Sequence, residues 1–290
     1  MQCMRVVRAG FLLAACAAGV ALGQGAGEAP PPGGGFLDNY FRMVERAQGS
    51  QPHWISPLFT TTPRLNERFR YDFAFQARPG DVDLANYGSS KGLELIFTDH
   101  VAVTFGIPSY LVRDAPRGTV SGWADETFQA KYRFASAPES SGNYVFSAFF
   151  GVSVPTGGDP FTARVPVYTP TLAFGKGWGS REQGFDIQST LGVSVPGGDK
   201  ARVGMPVVWS TAFQAHVARY LWPEFEIALT HWTDGPSDNK WQAIATVGVV
   251  AGRFPISGRL HFDVGFGYQW AISAYRTYDS AWLATARLPF

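Results

Sequence analysis

Trp282-Leu-Ala-Thr-Ala-Arg-Leu-Pro-Phe290 decides the fold: apolar side chains stand at 282, 284, 286, 288 and 290, and the single charge, Arg287, has the opposite parity. A period of two belongs to a strand with two unlike faces. Other stretches repeat it with greater contrast. Phe69, Tyr71, Phe73 and Phe75 alternate with Arg68, Arg70, Asp72 and Gln76. Phe128, Ala130, Tyr132 and Phe134 alternate with Gln129, Lys131 and Arg133. Leu260, Phe262, Val264, Phe266, Tyr268 and Trp270 oppose Arg259, His261, Asp263 and Gln269. An Arg or Lys facing lipid at the bilayer midplane costs about 2–4 kcal/mol, so in a membrane the charged face must point inward. The pattern implies an all-β chain, a transmembrane antiparallel β-barrel.

Composition agrees. Aromatics make up 15% of the chain and charges only 16%, which suits a wall greasy on one side alone. After the amino-terminal segment no apolar run approaches the length of a membrane helix, so helical spans are excluded. A soluble β-sandwich would also alternate, but would not need so many aromatics near its strand ends. A formal charge of +1 gives no reason to expect a nucleic-acid partner.

The chain divides into four parts. Residues 1–23 read as a signal peptide, with cationic Arg5 and Arg8, an apolar run over 9–21 and a small-x-small site at Ala21-Leu22-Gly23. Leu13-Ala14-Ala15-Cys16 offers a competing lipoprotein signal, acylated at Cys16. Cleavage after Gly23 removes both cysteines, leaving no thiol for a disulfide, a metal or a nucleophile. Residues 24–35 are a Gly/Pro tether. Within 36–65, Phe36, Leu37, Tyr40, Phe41 and Val44 follow helical spacing, with Asp38, Arg42, Glu45 and Arg46 on the other side. This short amphipathic helix can plug the lumen, lie at the inner membrane rim, bind a periplasmic partner or cap the barrel's open end. An extended lead-in, Pro52 to Arg64, joins it to the barrel at 66–290.

About twelve strands are expected, near 67–77, 91–97, 101–107, 124–134, 143–154, 167–178, 184–195, 207–219, 224–232, 241–252, 258–270 and 281–290, an even count that returns both termini to one side. Segments 78–90, 108–123, 155–166 and 271–280 read as outer loops. Pro166 and Pro170 cannot donate ladder hydrogen bonds, so the sixth strand should start late or carry a bulge. Gly151-Val-Ser-Val-Pro155 recurs as Gly192-Val-Ser-Val-Pro196, 41 residues on. Each copy precedes a Gly-Gly and an Asp, consistent with shared turn chemistry or with a divalent-ion contact through Asp159 and Asp199.

Several strings together resemble a known group. Thr60-Thr-Thr-Pro-Arg64, Asn86-Tyr-Gly-Ser-Ser-Lys-Gly-Leu-Glu-Leu95, Lys131-Tyr-Arg-Phe134, Gly151 to Gly158, Thr171-Leu-Ala-Phe-Gly-Lys-Gly-Trp-Gly179, Asp186 to Pro196 and Phe254-Pro-Ile-Ser-Gly-Arg-Leu260 are similar to bacterial outer-membrane proteins related to the putative MetA-pathway of phenol degradation family. The resemblance covers nearly all the chain after the tether. It implies a transporter-like or porin-like barrel for small solutes, aromatic or other hydrophobic compounds among them. The final strand with Phe290 resembles the assembly signal read by the barrel-assembly machinery. Outer-membrane lipids, that machinery and a small-molecule solute are therefore the expected partners.

On physical grounds about twelve strands enclose a narrow lumen, between the filled eight-strand barrel and the wide porin. The expected lumen-lining set is Arg68, Arg70, Asp72, Lys131, Arg133, Asp186, Glu224, Glu226, Arg259, Asp263 and Arg287. Arg68, Arg70, Arg259 and Arg287 should gather where the barrel closes, across from Asp186, Glu224 and Glu226. Such an arrangement makes either a transverse field or a self-neutralising network that fills the lumen. The rival class is a lipid-modifying barrel enzyme, which needs a nucleophile beside a histidine base. None of His53, His100, His216, His231 and His261 heads a His-x-Ser motif. His231 beside Trp232 reads as an interfacial histidine, and Asp234, Asp238 and Asn239 as turn residues rather than metal ligands. No catalytic residue, cofactor or metal is expected. A third class is a filled structural or adhesion barrel.

Overall fold

The computed structural model describes residues 35–290. The leader, Cys16 and all of the tether but Gly35 lie outside these residues. One helix, α1 (Phe36–Gly49), precedes the strands β1 (Arg68–Arg78), β2 (Val82–Gly88), β3 (Gly92–Thr98), β4 (Val101–Gly106), β5 (Tyr110–Asp114), β6 (Val120–Trp123), β7 (Glu126–Ala137), β8 (Tyr144–Val154), β9 (Val167–Gly179), β10 (Gly184–Val193) and β11 (Val195–Pro196). A turn of helix, α2 (Lys200–Val203), leads to β12 (Pro206–His216), β13 (Leu221–Trp232), β14 (Trp241–Ser257), β15 (Leu260–Ala271) and β16 (Ser280–Pro289). Twelve strands form a closed antiparallel ring and four lie outside it. The ring shuts where β16 pairs with β1, from Arg68 opposite Pro289 to Ala77 opposite Ser280.

The wall is the inverse of a water-soluble protein. Phe134, Phe150, Leu172, Trp209, Val247, Phe266 and Trp282 are exposed on the outside, while Arg70, Asp72, Lys131, Asp186, Glu226 and Arg287 are buried inside. Burying ionised groups is costly unless each finds a partner, so something must fill the space between them.

Three strands occupy segments expected to be outer loops. β2 pairs with the upper half of β1, and β5 pairs with both β2 and β6, so the wall rises here as an extension beyond the ring. β2 and β3 are one rising wall interrupted at Gly88, Ser89 and Ser90, all with positive φ. That Gly-Ser-Ser string reads as a loop in sequence and is a bulge in space. Gly92 follows because a Cβ there would lie 2.1 Å from the Phe105 carbonyl oxygen. β9 starts after Pro166, and its ladder resumes with β11 in the register it had with β10. The gap includes Pro170, which has no N–H to give.

α1 lies at the end that carries the chain's last residue, here termed the inner end. Val44 and Ala47 pack against Leu65, Ile96 and Ala102. The Tyr40 hydroxyl donates to Glu67, and Arg46 and Glu45 reach Asp99 and Arg259 on the rim. The helix therefore sits on the inner rim, its end at 44–47 set against inward-facing residues of β3 and β4.

Candidate functional site

The lead-in, not the helix, fills the inner half of the barrel. Residues 51–65, here called the strap, climb into the lumen, turn near 58–61 and return to β1. Trp54, Ile55, Ser56, Leu58, Thr60, Thr62, Arg64 and Leu65 are all buried. With prolines at 52, 57 and 63 the strap cannot form a helix or a sheet ladder. Its backbone groups must therefore be satisfied by the wall.

The wall satisfies them with its charges. On the closure side, Arg70 donates to the carbonyls of Pro57 (3.1 Å) and Leu58 (2.5 Å), and Arg287 to those of Ser56 and Pro57. On the facing side, Glu224 accepts the N–H of Leu58 (2.9 Å), and the two oxygens of Glu226 accept those of Phe59 (2.8 Å) and Thr60 (2.6 Å). Lys131 and Ser147 hold the returning limb through the carbonyls of Arg64 (2.7 Å) and Pro63 (2.6 Å). Gln188 holds the climbing limb through Ile55. Both alternatives expected for the lumen are modified by this arrangement: a cationic and an acidic wall exist, and the peptide dipoles of the strap span them. Arg70 and Arg287 are cross-strand neighbours, and their repulsion is offset by the strap carbonyls they share and by Asp72, which pairs with Arg70.

Shape adds to charge. Trp54 lies against Gly175 and Gly177 of β9, where an added Cβ would fall 2.5 Å from its ring, and its indole donates to Asn143 (2.9 Å). Leu58 fills a dent left by Gly248, Gly265 and Gly267, each of which would bring a Cβ within 2.7 Å of a Leu58 methyl. At the inner rim the backbone N–H and ring of His53 meet Glu139 at 2.6 and 3.0 Å. Burial pushes the Glu139 carboxyl up, but the hydrogen bonds from His53 outweigh it and bring the pKa down to about 2.

The remaining residues of the expected set find separate places. Arg68 reaches Ser56 and pairs with Glu94 (3.1 Å), which also pairs with Lys131 (2.8 Å). Asp72 takes Arg70, Arg133 reaches Gln51 and the end of α1, and Asp263 accepts the Arg253 N–H at 2.6 Å. Asp186 pairs with His216 at 2.7 Å, whose other ring nitrogen bonds the Ser180 carbonyl. Arg259 stands at the inner mouth: it falls in the turn between β14 and β15, pairs with Glu45 of α1 and lines a cavity there with Arg68 and Asp263. Asp159 and Asp199 are each held by a nearby arginine, Arg164 and Arg202, and do not come together as an ion site. Among the described residues no cluster has metal-ligand character. Glu94, Gln188, Arg64 and Arg253 were missed. Glu94 was within reach of the alternation Leu93-Glu94-Leu95; the two arginines stand on the strap and on a bulge, where alternation gives no signal.

Above the strap a chamber of about 520 Å³ remains, floored by Leu58, Phe59, Thr60 and Thr61. Hydroxyls and amides such as Thr171, Thr190, Ser210, Gln129 and Gln242 line it, with Lys91 at its side.

No family model matches the sequence, and no curated protein matches it either. Among solved structures, the COG4313 outer membrane channel from Pseudomonas putida F1 is similar in fold, with a TM-score of 0.54 and 14% identity over 82% of this chain and 100% of that one. The NanC porin aligns with 76% of this chain and 98% of its own, at 10% identity and a TM-score of 0.47.

Proposed function

We propose that this chain is an outer-membrane channel or transporter for small solutes, closed at rest by its own strap. The observation that carries the reading is the combination of an apolar outer wall, a polar chamber open above the strap, and a strap held by hydrogen bonds instead of a covalent tie. Hydrogen bonds to charged groups contribute about 1.5–3 kcal/mol each, so the closure is firm yet reversible. The fold shared with an outer-membrane channel supports both the location and the role. The resemblance to phenol-degradation barrels supports small aromatic solutes, and the chamber suits them, since Phe149, Ile244 and Leu283 share its lining with hydroxyls and amides. The reading includes no chemical step, and the buried His216 is used in it as a structural link between Asp186 and the Ser180 carbonyl.

The test is single-channel conductance of the refolded chain in planar bilayers, beside a variant in which residues 54–62 are replaced by an equal length of Gly and Ser. The parent should conduct rarely and the variant steadily. A folded variant as silent as its parent would overturn the channel reading in favour of a filled barrel.

A further inference from the structure

Two guanidinium groups converge on one carbonyl at the inner mouth. Arg64, on the returning strap, and Arg253, on β14, both donate to the Trp54 carbonyl oxygen, Arg253 at 2.9 Å. Among the described residues neither forms an ion pair with a carboxylate, and the Arg64 Nε is buried with no partner. A third arginine, Arg181 in the turn between β9 and β10, has no hydrogen bond or ion pair among the described residues, and its Nε is likewise buried and unpaired. All three line one cavity of about 310 Å³, together with Trp54 and Ile55.

Three side-chain carboxylates line the same cavity, but none of them pairs with these guanidinium groups. Glu45 takes Arg259, Glu67 takes Tyr40, and Asp263 takes the Arg253 backbone. Buried cations are normally paired, yet Arg64 is buried, Arg181 and Arg253 are half-buried, and none of the three has a carboxylate within ion-pair distance among the described residues. The backbone supplies an independent sign. Arg253 is held at φ +61° in a bulge where the pairing of β14 with β15 shifts between Ala251 and Phe254. A non-glycine residue in that region is strained, and bulges commonly re-aim a side chain toward a site.

We propose that this cavity binds a small organic anion bearing a carboxylate or phosphate, with Arg64, Arg181 and Arg253 as its donors and Trp54 and Ile55 as its apolar wall. Guanidinium forks match both groups, and the volume lies at the lower end of small-molecule sites, room for a single-ring acid. The inference deepens the channel reading by naming a solute class, and rests on that reading only in treating the bound anion as cargo.

Binding is measured without conduction. Titration calorimetry of the refolded chain in micelles, with benzoate and separately with inorganic phosphate, should give saturable one-site binding for at least one probe. Arg181→Gln, which removes no hydrogen bond and so spares the fold, should weaken it about tenfold or more, whereas Arg276→Gln in an outer loop should not. Whichever probe binds identifies the preferred group. Failure of both probes at about 10 mM, or parental affinity in Arg181→Gln, overturns the site. A silent barrel that binds benzoate overturns the channel reading alone; a conducting barrel that binds neither probe overturns the anion site alone.

Discussion

Replacing Trp54 by alanine should open the barrel without unfolding it. The indole is fully buried between the strap and β9, seated on Gly175 and Gly177 and bonded to Asn143. Truncating a buried Trp costs about 3–5 kcal/mol, from lost contacts and the void left behind. The ring's contacts with β9 join the strap to the wall, so most of this cost falls on the seated state rather than on the ring of strands. At about 1.4 kcal/mol per tenfold, the ratio of released to seated strap should rise between about a hundredfold and a few thousandfold. Open probability in planar bilayers reads that ratio directly, and limited proteolysis within 51–65 reads it independently. Migration of unboiled protein as a compact species would confirm that the barrel is intact. Parental open probability together with parental protease resistance, in a folded variant, would refute the idea that the seated strap is the closure.

Three further outcomes are expected. Since the Glu139 carboxyl is held down to about 2, its contact with His53 contributes stability in full above the ordinary value of 4.5 and loses it as pH falls from there toward 2. The difference in strap protection between the parent and Glu139→Gln should therefore shrink as pH falls from 4.5 toward 2; a difference that persists in full at about pH 2.5 would count against the assignment. Lys131→Met leaves the Arg64 carbonyl without this donor and Glu94 with Arg68 as its one remaining cation beside the Asn66 amide, so unfolding should become easier by an amount toward the lower end of about 3–5 kcal/mol, measured by urea titration in vesicles. Phe266→Arg on the outer face should cost about 2–4 kcal/mol in a bilayer if that residue lies near the midplane, and an unchanged urea midpoint would mean that the face has been assigned wrongly.

The strands and their faces were legible because lipid penalises charge strongly, so each wall segment carries the contrast in its own residues. Arg70 and Asp72 could be placed inward from Phe69, Tyr71 and Phe73 alone. The strap was not legible in that way. Pro52 to Arg64 has no period, and its burial depends on partners far along the chain, such as Glu226 and Arg287. A helix with an obvious apolar face drew attention as a candidate plug, yet that face is spent on Leu65, Ile96 and Ala102 at the rim. β2, β5 and β6 were hidden for a local reason: Gly88-Ser-Ser punctuates the sequence as a loop does, although the sheet continues past it. Arg253 belongs to a bulge, and alternation fails where one strand gains a residue.

The strap is continuous with β1 at one end and fixed through α1 to the rim at the other. Leaving the lumen therefore does not mean leaving the protein. A segment tied so closely to its own binding groove acts at an effective concentration in the millimolar range, whatever the abundance of the protein. Opening is then a first-order event that resets itself, and a soluble peptide copying residues 54–62 would have to approach millimolar levels to hold the groove against the resident copy.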